Sequence, residues 1–299
     1  MLDTFQLHVF LAVVENGSYT AAAQRLHMTQ PSVSRHIRLL QEHLGVSLFR
    51  RVGRRMVPSL AGERLIGIAR QVMALTRRVE EEMAALRGEA VGVLRLGGSG
   101  APAWYVVRRL LSAFRQDEPG VGFRLEALPT TGVGLALREG RLDIAITEEE
   151  INERGVVCKL LTAMETVLAA PLGGAWEHRK RILLRKLAEA PLVLPAAGSP
   201  PRRFLEELLS GREVTLPTPV QALEVDDLGT ALLLVTAGLG VALLPRPLLE
   251  MAPSTHVHGV APWPGFSWPL YIVRRAGSFG RLDEMFYNFA VGEGQSLLG

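Results

Sequence analysis

Cysteine is all but absent from this chain of 299 residues: Cys158 stands alone, so no internal disulfide can form, which suits a reducing compartment. A lone thiol leaves two readings, a redox sensor or a small buried hydrophobe near a strand end. Long apolar runs are missing too. Without a stretch of about eighteen apolar residues there is no candidate membrane span. The N-terminus MLDTFQLHVF shows no basic region followed by an apolar core and a small-residue cleavage site. Export and membrane insertion are therefore not expected, and a cytoplasmic location is. Nor is there a serine-hydrolase elbow, a P-loop or a paired-cysteine motif. His256 and His258 lie two apart in a proline-rich loop, too few ligands for a metal. No catalytic residue, metal or resident cofactor is expected.

What is present points to two or more domains, since 299 residues exceed the usual size of one. A hydrophobic content of 48% is ample for buried cores. The net charge of +3 is unevenly spread: residues 1–58 hold seven arginines against three acids (Asp3, Glu15, Glu42), while the remainder holds 26 Lys plus Arg against 27 acids. The positive field thus lies at one end, where attraction to phosphates would need it.

That end is the most informative part of the chain. Ser18 can cap a short alanine-rich helix reaching Leu26, because its hydroxyl accepts from a free N–H of the first turn. His27 and Met28 make a tight turn. Thr29 is a second cap, and Pro31 sits in the first turn of a longer helix, where its missing N–H costs nothing. That helix runs to about Leu44 and ends at Gly45. Val33, Ile37, Leu40 and Leu44 recur at helical spacing and face a core. Gln30, Ser32, Ser34, Arg35 and Arg38 are left on the other faces. Gln suits an adenine edge, Ser several bases, and Arg guanine or phosphate. An ordinary solvated helix face would read similarly, but the sequel differs. Phe49–Val57 carries Arg50, Arg51, Arg54 and Arg55 around Gly53 with no carboxylate, a hairpin signal with four guanidinium groups. Two helices, a tight turn and a basic hairpin describe a winged helix-turn-helix whose second helix enters a major groove.

From these residues the first 65 or so positions resemble the LysR-type transcriptional regulators. The matching residues are Phe10, Val13 and Val14, Gly17-Ser18, Ala21-Ala22-Ala23, Leu26, Thr29-Gln30-Pro31-Ser32-Val33-Ser34, Ile37, Leu40, Leu44-Gly45, Leu48-Phe49-Arg50-Arg51, and Pro58 with Ala61-Gly62. The resemblance extends more weakly along the whole chain. It implies duplex DNA as partner, read by Thr29, Gln30, Pro31, Ser32, Ser34, Arg35, Arg38, Arg51, Arg54 and Arg55. It also implies a dimer of dimers, contact with RNA polymerase, and an interrupted palindromic operator.

Between Pro58 and Gly88 there is no proline, and glycine occurs only at 62 and 67. Leu65, Ile68, Val72, Leu75, Val79 and Leu86 fit a heptad seam, with Glu82 on the remaining core position. Such a helix would be roughly 40 Å long. Its stripe could pack on its own domain, but its length favours a second copy. In the resembled family this linker pairs two subunits, which makes Leu65, Ile68, Val72, Leu75 and Val79 the expected dimer contacts.

Beyond Gly88 apolar strand-like runs alternate with amphipathic helices. Strands are read at Leu94–Leu96, Gly122–Leu128, Leu142–Ile146, Thr166–Ala170, Leu192–Leu194, Val220–Glu224, Val241–Leu244 and Leu270–Val273. Helices are read near Ala103–Gln116, Gly132–Glu139, Arg202–Leu209, Asp226–Ala237 and Arg281–Ala290. This order predicts parallel sheets with helices on both faces. Pro245–Pro269 marks the return path. The expected fold is therefore α/β, with an N-terminal all-α winged helix-turn-helix (1–58), a linker helix (59–88) and an effector domain (89–299). The last is similar to the two-lobed, periplasmic-binding-protein-like part of the same family: lobe I about 89–163 and 266–299, lobe II about 164–265. VTAGLGVALLP (235–245) and LREGRLDIAI (137–146) are its most recognisable pieces.

In such sheets ligands collect at strand carboxyl ends, where helix N-termini point free N–H groups outward. Gly97-Gly98-Ser99-Gly100, Pro129-Thr130-Thr131 and Gly198-Ser199-Pro200 fall there. Each hydroxyl could simply cap its own helix. The resemblance, however, places the inducer in a cleft between lobes, with Ser99, Thr131 and Ser199 at or near it. The expected effector set is Ser99, Gly100, Thr130, Thr131, Ile146, Ser199, Arg202 and Val225, with Arg203 a further charge. Helix N-termini suit a small organic anion.

Two other readings compete. Gly98-Ser99-Gly100-Ala101-Pro102-Ala103 satisfies G-x-G-x-x-A after a strand, with Glu126 placed for a ribose. That would suggest a nicotinamide-dependent oxidoreductase, but Pro102 fits a helix first turn without any pyrophosphate, and no motif marks a catalytic His or Lys. A solute-binding protein shares the two-lobed architecture but lacks the N-terminal domain and needs an export signal.

Overall fold

The computed structural model describes residues 2–53, 55–87, 92–173, 176, 190–210, 222–252, 256–260, 267–277 and 280–298. The chain divides into two compact units, Met1–Val91 with Leu135–Arg141, and Gly92–Gly134 with Leu142–Gly299.

The first unit contains α1 (Thr4–Asn16), α2 (Tyr19–Arg25), α3 (Gln30–Leu44), the hairpin β1 (Phe49–Val52) and β2 (Arg55–Pro58), and α4 (Leu60–Leu86). Side chains that satisfy first-turn N–H groups start three of the helices. The Asp3 carboxylate accepts from Phe5 N at 2.9 Å, Ser18 Oγ from Ala21 N, and Thr29 Oγ1 from Ser32 N. Gly17 and Gly45 end α1 and α3 in the left-handed region. His27, at φ 54°, makes the tight turn between α2 and α3. Leu7, Phe10, Val13, Ala22, Val33, Ile37, Leu40, Leu48 and Phe49 share one core. Phe49 anchors the hairpin to it, its ring 5.3 Å from Phe10 and edge-on to Tyr19. Leu44, expected on the same stripe, is instead 37% exposed, because the last turn of α3 runs past that core. Gln41 fastens this end: its Oε1 accepts from Leu48 N at 2.8 Å.

Ser59 joins the hairpin to α4. Its hydroxyl donates to Ser47 O at 2.6 Å and accepts from Gly62 N at 3.1 Å. Gly62 is required by the close approach of the backbones, since a Cβ there would lie 2.2 Å from Leu48 O.

The second unit is built on a sheet ordered β10-β6-β11-β5-β3-β4, with β9 also on β6. The strands are β3 (Gly92–Gly98), β4 (Val121–Ala127), β5 (Ile144–Thr147), β6 (Val156–Pro171), β9 (Ala242–Pro245), β10 (Val257–Val260) and β11 (Ser267–Arg275). A separate parallel pair, β7 (Val193–Pro195) and β8 (Leu223–Val225), completes it. The helices are α5 (Gly100–Asp117), the first turn of α6 (Thr130–Arg138, whose residues from Leu135 count with the first unit), α7 (Pro200–Leu209), α8 (Leu228–Thr236) and α9 (Arg281–Leu298). Trp268 and Phe286 are among its largest buried side chains.

The fold is the expected α/β, but the sheet is mixed rather than parallel. β3 is parallel to β4 and β5, whereas β11 returns along the proline-rich path and inserts antiparallel between β5 and β6. A strand arriving by a return path needs no helical crossover, so it runs opposite to its neighbours. β6 begins ten residues before the expected Thr166, and β10 lies inside the stretch read as return path. The strand expected from Val220 has its first two residues outside the described ones.

Gly62→Ala is expected to cost about 1–3 kcal/mol, because the added methyl meets backbone that cannot yield easily. Gly67→Ala, in the interior of α4, should gain up to about 1 kcal/mol from helix propensity. Denaturant unfolding of the two variants checks the contrast; equal effects would place the tight approach elsewhere.

Candidate nucleic-acid interface and ligand cleft

α3 buries Val33, Ile37 and Leu40 and so turns its opposite side outward. Gln30, Pro31, Arg35 and Arg38 are exposed at or beyond its N-terminal end, Thr29 is exposed at the cap, and Ser32 and Ser34 are half-buried. Arg38 pairs with Glu42 one turn along, at 3.6 Å, which spends part of its charge within the helix. In the hairpin Arg50, Arg51 and Arg55 are exposed, and Arg51 Nε donates to Gly53 O at 3.0 Å. That bond curls the guanidinium over the turn, where Gly53 adopts φ 61°. Arg54 lies outside the described residues. Met56 N donates to Gly17 O at 2.8 Å and holds the hairpin beside the α1–α2 corner. The arrangement presents polar hydrogen-bonding groups at one helix end and cations on an adjoining ribbon.

The heptad positions of α4 divide. Leu65 and Val72 are half-buried against the core of their own unit, a local packing that a repeat count does not reveal. Ile68, Leu75 and Val79 are 58%, 53% and 62% exposed, and Met83 and Leu86 continue the row.

In the second unit a cleft of about 320 Å³ gathers the carboxyl ends of β3, β4, β5 and β8 and the N-termini of four helices. Ser99, Gly100, Thr130, Thr131 and Ser199 line it, as read from the sequence. Thr130 Oγ1 donates to Ser99 Oγ at 3.2 Å, and Ser199 Oγ caps α7 by accepting from Arg202 N at 3.2 Å. Three expected residues are not in the lining. Ile146 and Val225 are 2% and 9% exposed and belong to the core. Arg202 is turned away, its Nε on Glu206 at 2.8 Å and Nη1 on Pro195 O at 3.3 Å. Arg203 takes the rim instead, paired with Glu149 at 2.5 Å.

The sequence reading missed the acids. Glu148, Glu149, Asp226 and Asp227 line the cleft with Arg203. The available signal was position: Glu148-Glu149 and Asp226-Asp227 directly follow two strands. Asp227 Oδ1 caps α8 by accepting from Thr230 N at 2.9 Å. Burial pushes its carboxyl up, but hydrogen bonds from the Thr230 hydroxyl and the Thr230 and Gly229 N–H groups outweigh this and hold it low. Glu148 goes the other way. It is 9% exposed, and burial pushes its pKa to about 8; a Trp268 hydrogen bond opposes the shift and Glu149 adds to it. Gly100, at φ 78°, is its socket, because a Cβ there would fall on the Glu148 carboxyl. Cys158 is half-buried, and burial raises its thiol pKa, which disfavours the reactive thiolate.

Two protein families match this chain: "Bacterial regulatory helix-turn-helix protein, lysR family" over residues 5–63, and "LysR substrate binding domain" over residues 87–283. Similar proteins include the HTH-type transcriptional regulator TfdS of Cupriavidus pinatubonensis, 35% identical over 80% of this chain and 81% of that one. The RuBisCO operon transcriptional regulator of Allochromatium vinosum is 29% identical over 82% and 80%. Among solved structures, a full-length OxyR from Pseudomonas aeruginosa aligns with a TM-score of 0.74 at 21% identity, covering 98% of this chain and 94% of that one. Full-length CbnR with its target DNA aligns at 0.71 and 23% identity, covering 97% and 99%.

Folded, Glu148 keeps its proton up to about pH 8, whereas in the unfolded chain a glutamate ionises near about 4.3. Between those limits the native state holds the extra proton, so this group's contribution to stability is present at low pH and is lost as pH rises to about 8. Glu148→Gln should therefore match the parent near about pH 5 and exceed it in Tm by several degrees at about pH 8.5. A Tm difference that does not change with pH would show a carboxyl already charged in the fold.

Proposed function

The chain belongs to the LysR family of DNA-binding transcriptional regulators, with an effector-binding domain, and from that premise we propose how its parts divide the work. The α3 N-terminal end reads base edges in the major groove, with Thr29, Gln30, Pro31, Ser32, Ser34, Arg35 and Arg38 as its contact set. The hairpin arginines Arg51, Arg54 and Arg55 hold the phosphate backbone or the adjoining minor groove. The observation that carries this is the pairing of an exposed polar helix start with an exposed arginine ribbon that has no acid of its own. CbnR is described with its target DNA, and we carry duplex DNA as partner from that relative.

Ile68, Leu75 and Val79 form the seam of a coiled coil with a second copy, because an exposed heptad row needs a partner to leave water. Leu65 and Val72 brace the helix from behind. Two dimers then assemble into a tetramer that contacts RNA polymerase in the cytoplasm. Among the described residues no helix is long and apolar enough to cross a membrane. The cleft bounded by Ser99, Gly100, Thr130, Thr131 and Ser199 takes the effector, whose differential affinity for two arrangements of the protein is the regulatory signal.

Three outcomes test this division. Gln30→Ala or Ser34→Ala should weaken binding to the cognate operator by about 1–3 kcal/mol while sparing a scrambled duplex; equal losses on both would remove the base-reading role. Arg51→Ala combined with Arg55→Ala should weaken binding to every sequence and make the log-affinity against log-salt slope shallower by about 1–2 units, and an unchanged slope in a folded variant would defeat the backbone role. Sedimentation of Val79→Glu should show a smaller assembly, since like charges would face each other across the seam. Parent mass would place the seam elsewhere.

A further inference from the structure

The cleft has a side chain, Glu148, that the protein satisfies only in part, through the hydrogen bond from Trp268. Glu148 Oε2 is fully shielded from solvent and has no hydrogen-bond partner, while the carboxyl lies over Gly100 at the start of α5. A buried carboxyl oxygen without a partner is costly, and it persists where something else is to meet it.

The surroundings say what that is. Helix N-termini attract anions through free N–H groups and a partial positive charge. Here three of the four are already attended by the chain's own oxygens: Ser199 caps α7, Asp227 caps α8, and the Glu148 carboxyl occupies the space over the first residue of α5. The lining groups that face Glu148 are Glu149, Arg203, Asp226 and Asp227, and the one guanidinium is engaged with Glu149. An anion entering this space would meet the carboxyl groups of Asp226 and Asp227, and among the described lining residues no free cation receives it.

Resting on the reading of the cleft as the effector site, we propose that the effector binds through a protonated amine that becomes the counter-ion of Glu148. Thr131 and the exposed start of α6 then serve a hydrogen-bond acceptor at the other end of the same small molecule. Binding requires the Glu148 carboxylate, yet burial keeps the acid form to about pH 8. Each amine bound near neutral pH therefore displaces one proton to solvent, and affinity rises with pH until Glu148 is ionised without help.

Isothermal titration of the full-length protein with n-butylamine, butyrate and 1-butanol decides the matter. The amine should bind, with about one proton released as judged from buffers of different ionisation enthalpy, and with an affinity that rises close to tenfold between about pH 6 and 7. Glu148→Gln, the isostere of the acid form, should abolish the proton release and the pH dependence and weaken amine binding at least tenfold at pH 8. Thr131→Trp, which fills the cleft, should abolish binding of every probe. Butyrate binding that is lost in Thr131→Trp and falls as pH rises would overturn the amine and leave the cleft as the ligand site. Amine binding that survives Thr131→Trp would overturn both readings, as would the failure of all three probes to bind up to their solubility.

Discussion

The pairing of β6 with its neighbours is the constraint on which the effector half depends. Residues Val156–Glu165 pair with β11, and Thr166–Pro171 pair with β9 and β10, so one continuous strand carries the sheet from one set of partners to the next. β11 in turn brings β5, β3 and β4 into register, and β9 meets the strand leading into β7 through the bridge of Leu192 with Val241. Every wall of the cleft hangs from these ladders. A slip of one residue would send buried Val167 and Ala169 to the opposite face and displace the strand ends that bear Glu148 and Asp226.

Charge is used differently in the two units. At the hairpin Arg50, Arg51 and Arg55 are exposed and without acids of their own, which suits a partner whose charge is repeated and uniform. In the cleft the acids are positioned individually. Asp227 is held low by three donors and completes a helix, whereas Glu148 is desolvated and keeps a proton. The same functional group is thus structural in one place and responsive in another, and the environment makes the difference.

The long helix α4 shows a similar division of labour within one element. Its inward residues, Leu65 and Val72, extend the core that holds α1 and α3, and its outward residues keep the heptad spacing. Stability of the DNA-reading part and the availability of a seam are therefore coupled through opposite faces of one helix. Ser59 and Gly62 set its starting point against the Ser47–Leu48 backbone, so the hairpin between them is closed at its base.

Features governed by a few neighbouring residues were determined by the sequence alone. The caps at Ser18 and Thr29, the glycine stop at Gly45, the arginine hairpin, the extent of α4 and the hydroxyl residues at strand ends all follow from short-range hydrogen bonding, backbone freedom and helical period. Segments remote along the chain decided the rest. That β11 inserts between β5 and β6, that Ile146, Val225 and Arg202 turn from the cleft, and that Leu65 and Val72 face inward are outcomes of packing that no local pattern contains. Glu148 is the clearest case. As a residue in an acidic run it reads as a solvated charge; only when Gly100 and Trp268 close around it does the loss of water make it an acid that holds its proton.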